Sequence, residues 1–137
     1  RACDLLVCRA LQPHLELGRT ILVGWNGSRE ATRAMHEALP FLGSADLVML
    51  SAVGSRATAG LDKARLMLER HGVVVQTQQT AGPEEAAGAV LLAQAAAHGA
   101  DLLVIGSYGR TRLREFLFGG VTRHLLREAT VPVLFGS

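Results

Sequence analysis

The chain has 137 residues, 49% of them hydrophobic and 19% charged, which suits one domain around a single continuous core and excludes disorder through its body. Fourteen Lys and Arg against 12 Asp and Glu leave a formal charge of only +2, so composition calls for neither a nucleic-acid nor a membrane partner, although Arg110, Arg112, Arg114, Arg123 and Arg127 gather as a local basic patch. No apolar run approaches the roughly 18 residues of a membrane span and the first residues lack a signal-peptide pattern, so a soluble, cytoplasmic protein is expected.

Residues 1–19 stand apart from the rest of the chain. Asp4 to Cys8 is a short apolar strand candidate, followed by a linker, Arg9 to Arg19, with Pro13 and Gly18. It resembles the chain's own Val133-Leu134-Phe135, and reads as the last strand of a preceding copy of the same domain, as an arm that pairs with a sheet edge, or as a frayed terminus. Cys3 and Cys8 lack C-x-x-C spacing and read as small buried hydrophobes.

The domain proper, residues 20–137, alternates strand and helix. Ile21 to Trp25 is a buried strand, and the turn Asn26-Gly27 leads to Ser28, a helix N-cap. Ala31, Ala34, Met35, Ala38, Leu39 and Leu42 then form the stripe of an amphipathic helix with Pro40 near its end. Leu47 to Val53 is the second strand, Leu61 to Arg70 the second helix, with Gly72 as its stop. Val73 to Thr77 is the third strand, whose polar tail, Gln76 to Thr80, marks a sheet edge. An Ala-rich helix, Glu84 to His98, is entered through Gly82-Pro83 and stopped by Gly99. Leu102 to Ile105 is the fourth strand, Val121 to Glu128 the core of the last helix, and Val131 to Phe135 the last strand.

Continuous apolar strands separated by helices predict an α/β fold, an open doubly wound five-stranded parallel sheet with helices on both faces. Right-handed crossovers give it the order 3-2-1-4-5. The topology then reverses between the first and fourth strands, and a ligand crevice lies at their carboxyl ends. Those ends carry Gly24-Trp25-Asn26 and Gly106-Ser107-Tyr108-Gly109. The spacing Gly106-x2-Gly109-x9-Gly119, continued by Gly120-Val121-Thr122, places bare backbone N–H groups where they can close around a phosphate. Nucleotide binding is therefore the leading expectation.

Catalytic groups are not evident. His14, His36, His71, His98 and His124 show no i, i+4 ligand pairing, and no nucleophile elbow is present. Asp46 and Asp101 precede strands, on the side of the sheet opposite the crevice. Ser107 and Tyr108 have no neighbouring base. No catalytic or metal-binding residue is assigned, and any nucleotide hydrolysis is expected to be slow and incidental.

Two stretches carry a family resemblance. Ile105-Gly-Ser-Tyr-Gly-Arg-Thr-Arg-Leu-Arg-Glu-Phe-Leu-Phe-Gly-Gly-Val-Thr-Arg-His-Leu-Leu-Arg, with Thr130-Val-Pro-Val-Leu-Phe after it, resembles the C-terminal signature of the universal stress protein family. Ile21-Leu-Val-Gly-Trp-Asn-Gly-Ser-Arg-Glu-Ala resembles its opening. The likeness covers about residues 20–136. It implies a domain that pairs into a homodimer through its last strand and in many members binds ATP, with AMP or cyclic AMP as alternative occupants and Mg2+ as an accompanying ion. Tandem members exist, and a C-terminal half of one would suit the strand at residues 4–8.

Carried over by that resemblance, Gly106, Gly109 and the amides of Gly119, Gly120 and Val121 surround phosphates and ribose, with Arg110 adding charge. Gly24 and Asn26 line the crevice from the first strand. Ala52 and Val53 offer backbone groups and an apolar wall to adenine, with Ile105 on another side. Two residues depart from the family's ATP binders, which have Ser or Thr where this chain has Gly120 and commonly Asp where it has Asn26. A hydroxyl bonded to a charged phosphate is worth roughly 1.5–3 kcal/mol, about tenfold to hundredfold in affinity, and Thr122 is the nearest substitute. Weakened ATP binding by a regulatory stress-response domain is therefore expected. The alternative is a dimerisation or interaction module with a vestigial crevice.

Overall fold

The computed structural model describes residues 4–6, 19–58, 60–83, 86–106 and 131–136. Six strands, β1 (Asp4–Leu6), β2 (Thr20–Trp25), β3 (Leu47–Val53), β4 (Val75–Thr80), β5 (Leu102–Gly106) and β6 (Val133–Gly136), form one sheet in the order β1-β6-β5-β2-β3-β4. Around it lie helices α1 (Arg29–Glu37), α2 (Leu39–Leu42), α3 (Leu61–Arg70) and α4 (Ala87–His98), with a 3-10 turn at Ser55–Thr58. The five strands β2 to β6 are parallel, and in chain order they take the predicted arrangement 3-2-1-4-5. β1 joins as a sixth strand, antiparallel to β6.

Strands alternate their side chains between two faces, so a strand covered on both sides must be apolar at every position. β2 is such a strand. Ile21, Val23 and Trp25 pack on one face with α1 and α3, while Leu22 faces α4 with Met49 and Leu103. Burying a Leu or Ile stabilises by roughly 1.5–3 kcal/mol. An exposed ion pair such as Arg19 Nε to Asp46 Oδ2, at 3.3 Å, contributes about 0–1 kcal/mol, so the two apolar layers hold the sheet together.

Three of the boundaries that differ from the sequence reading do so for a local reason. The first helix ends at Glu37, and Pro40 opens a separate short helix, α2, where its missing N–H is not needed. The third strand is Val75–Thr80 and not Val73 to Thr77. Val73 instead closes α3, its N–H donating to the Leu68 carbonyl at 3.1 Å, and Val74 is 57% exposed. The polar tail is itself the edge strand, in register with β3 from Val48↔Val75 to Val53↔Thr80. The last strand begins at Val133 and not Val131, since Pro132 supplies only a carbonyl, which accepts from the Leu103 N–H at 3.0 Å. Gly99 ends α4 in the left-handed conformation, φ 66°, as predicted. Glu84, Glu85, the predicted helix Val121 to Glu128, Cys3 and Cys8 lie outside the described residues. Among the described residues no helix is long and apolar enough to cross a membrane.

The N-cap also forms as read. Ser28 Oγ accepts the Ala31 N–H at 3.0 Å, satisfying a donor that the first turn of α1 would otherwise leave open. Ser28→Ala is expected to lower stability by about 1 kcal/mol, read as a lower urea midpoint with an unchanged slope. An unchanged midpoint would show the cap to be energetically idle.

Candidate functional site

The chain turns from β2 to β3 on one side and later returns to β5 on the other, so β2 and β5 flank the topological switch point. Their ladder ends at Val23↔Val104. Beyond it β2 stays paired with β3 as far as Trp25↔Ala52, and β5 with β6 as far as Gly106↔Gly136. The two central strands therefore part over their last two residues, and Gly24-Trp25 and Ile105-Gly106 flank the opening.

The first turn of α1 closes on this opening. A Cβ on Gly106 would lie 2.5 Å from the Ala31 nitrogen and 2.5 Å from the Glu30 carbonyl carbon, both main chain. Glycine is required there because the helix backbone rests directly on the end of β5. Asn26 shapes the approach to the same turn, its Oδ1 accepting the Ser28 N–H at 3.0 Å. That oxygen is engaged locally, and an Asp at position 26 would make the same turn.

Of the six predicted site residues within the described region, five fall on two faces and one lies at the rim. Gly24, Val53 and Ile105 belong to the α4 face, where a Cβ on Gly24 would lie 3.0 Å from Leu91 Cδ1 and 3.6 Å from Ile105 Cγ1. Ala52 and Gly106 belong to the α1 face, and Asn26 is exposed at the rim. Strand alternation imposes this split, so a ligand at the opening meets the ends of the strands and not one wall made of all six residues. Gly109, Arg110, Gly119, Gly120, Val121 and Thr122 lie outside the described residues.

One partly buried polar chain escaped the sequence reading. Ser51, 1% exposed in an otherwise apolar strand, donates through Oγ to Gln94 Oε1, and Gln94 Nε2 donates to Thr80 Oγ1 at 3.0 Å. It fastens α4 to β3 and to the carboxyl end of β4. Asp46 and Asp101 sit at the amino ends of the strands, as read. Asp101 Oδ2 accepts the Arg19 main-chain N–H at 3.0 Å, and Asp46 Oδ2 faces Arg19 Nε. Among the described residues no group of three His, Cys, Asp or Glu is placed to hold a metal ion.

Residues 18–135 match the Universal stress protein family. Universal stress protein Slr1230 of Synechocystis sp. is 30% identical over 79 residues, which make up 58% of this chain and 26% of that protein, so the matched stretch spans about a quarter of the relative's length. Among solved structures, a universal stress protein in complex with cAMP superposes with a TM-score of 0.71 at 22% identity, covering 89% of this chain and 98% of that one. A universal stress protein from Archaeoglobus fulgidus DSM 4304 gives 0.69 at 21% identity, covering 88% of this chain and 44% of that one. At those identities the structural likeness is one of fold.

Proposed function

This chain belongs to the universal stress protein family, and on that premise we propose that it is a cytoplasmic regulatory domain that binds an adenine nucleotide between the carboxyl ends of β2 and β5. The observation that carries the reading is the parting of these strands beyond Val23↔Val104, at the switch point, with glycines on both sides. Phosphates would be held by the backbone N–H groups of the Gly106, Gly109, Gly119 and Gly120 stretch, with Arg110 adding charge. The ends of β3 at Ala52 and Val53 and of β5 at Ile105 would receive the base. Asn26, with its oxygen in the turn, would offer its amide NH2 to a ribose. ATP is the nucleotide proposed. The structural neighbour solved with cAMP makes cyclic AMP the first competitor to test.

A second reading, an interaction module with a vestigial crevice, is favoured by Gly106. Its glycine is already required by the close approach of α1, so a ligand is not needed to account for it.

Calorimetric titration of ATP and cyclic AMP into nucleotide-free full chain, with and without Mg2+, separates the two. Saturable one-site binding is expected, abolished in Gly109→Val by a side chain where phosphate approaches. Gly120→Ser should tighten ATP by about tenfold to hundredfold, the value of one hydroxyl-to-phosphate bond. No binding up to millimolar nucleotide in either the parent or Gly120→Ser would leave the interaction module as the function.

A further inference from the structure

The opening between β2 and β5 is closed in different ways on its two faces. On the α1 face it is main chain that closes it, since a Cβ on Gly106 would lie 2.5 Å from the Ala31 nitrogen. On the α4 face the nearest cover over Gly24 is a side chain. Both methyls of Leu91 reach over this glycine, where a Cβ would lie 3.0 Å from Leu91 Cδ1 and 3.8 Å from Leu91 Cδ2, with Ile105 Cγ1 at 3.6 Å. A helix backbone moves only with its whole element, whereas a leucine can change rotamer in place, so the α4 side is the adjustable wall.

The sequence makes that wall a single knob. Side chains four residues apart lie along one row of a helix, and the row Ala87, Leu91, Ala95 of α4 carries one large residue between two alanines. Facing it, β2 presents Leu22 and then Gly24, so the strand lacks a side chain at the level where β2 and β5 part. Leu91 is 4% exposed and packs in the same layer as Val53 and Ile105, two of the three residues expected to receive the base. A base that lies against Val53 and Ile105 on this face therefore meets Leu91 as well.

We propose that Leu91 is a specificity-determining residue of the nucleotide site, the apolar wall that limits how large a base the α4 side admits. The proposal rests on nucleotide binding at the β2–β5 opening. Leu91 carries no charge and no hydrogen-bonding group, so its effect falls on the size of the base and not on the grip on phosphate. An apolar pocket separates ligands that differ by one methylene by about tenfold to two-hundredfold, and trimming Leu91 to alanine would leave the whole row small.

Calorimetric titration of the full chain tests this with ATP, N6-benzyl-ATP and 8-bromo-ATP, the last two enlarging adenine at its opposite ends. The readout is the affinity of each enlarged form relative to ATP, a ratio that a general loosening of the core leaves unchanged. Leu91→Ala is expected to raise that ratio by about tenfold or more for the form whose added group faces α4. Gly24→Ala adds a methyl 3.0 Å from Leu91 Cδ1 and is expected to lower the same ratio. Circular dichroism verifies each fold, and Leu91→Val repeats the measurement with a smaller truncation if Leu91→Ala does not fold. ATP bound by the parent, with the same ratios in every folded variant, would overturn Leu91 as the wall and leave nucleotide binding standing. No nucleotide bound by the parent or by any variant would overturn the nucleotide reading, and this wall with it.

Discussion

Gly106→Ala is expected to destabilise the domain by about 3 kcal/mol, the upper part of the range for forcing extra volume into a packed interior. The added Cβ would sit 2.5 Å from main-chain atoms of Glu30 and Ala31, and a helix backbone cannot turn aside as a side chain can. α1 must lift as a body, loosening Ala31, Ala34 and Met35 from the first apolar layer. Gly24→Ala is the control. Its Cβ would meet Leu91 Cδ1 at 3.0 Å, the far end of a flexible side chain, and replacing a strand glycine returns roughly 0.5–1 kcal/mol, so a change within about 1 kcal/mol is expected. Urea midpoints measure both. Equal midpoints for Gly106→Ala and the parent would mean that α1 does not rest on the end of β5. Because α1 also carries the turn at Asn26 and Ser28, lost nucleotide binding in Gly106→Ala would report a displaced helix, and Gly109 is the position at which to test phosphate contact.

The sheet was legible because covering both faces leaves a strand no room for polar alternation. β2 from Ile21 and β5 read as unbroken apolar runs for that reason, and β3 as a run broken only by Ser51. Legibility fails where a strand lies at an edge. β4 pairs through Gln76 to Thr80, residues whose polarity was read as a tail, while apolar Val73 and Val74 belong to the turn that closes α3. Pro40 was placed correctly near the end of a helical stripe, yet the stripe could not show that Ala38 separates two helices, because both bury residues in the same layer. β1 was visible as an apolar segment, but its direction and its place beside β6 depend on pairing with residues at the other end of the chain.

At the site, the sequence placed Gly24, Asn26 and Gly106 at the switch point from topology alone. It could not tell a glycine that approaches a ligand from one that a helix backbone approaches, since both need a missing Cβ. Gly106 has the second cause on its own. Asn26 likewise has a local role in the turn before α1. The chain from Ser51 through Gln94 to Thr80 was invisible because its members lie on three elements, with Ser51 and Gln94 43 positions apart, and no short-range pattern links them.

Leu103→Asp is expected to abolish folding. Leu103 is 0% exposed and sits in β5 between Leu22 of β2 and Val133 of β6, a row of three side chains across the α4 face. Truncation alone, Leu103→Ala, should cost about 2–5 kcal/mol and leave a folded protein that melts early. Aspartate adds a carboxylate among the buried apolar side chains of that layer, so the loss passes the 4–5 kcal/mol that marks exceptional substitutions. Set against the roughly 5–15 kcal/mol that holds a domain of this kind, the native state is no longer populated at the lower end of that range. Leu66→Asp supplies the matched control, the same chemical change at a position 44% exposed on α3, with an expected shift within about 0.5 kcal/mol. Far-UV circular dichroism and thermal melts of the three variants separate burial from chemistry. A native melt for Leu103→Asp would remove β5 from the middle of the sheet, and with it the switch point from which the nucleotide reading begins.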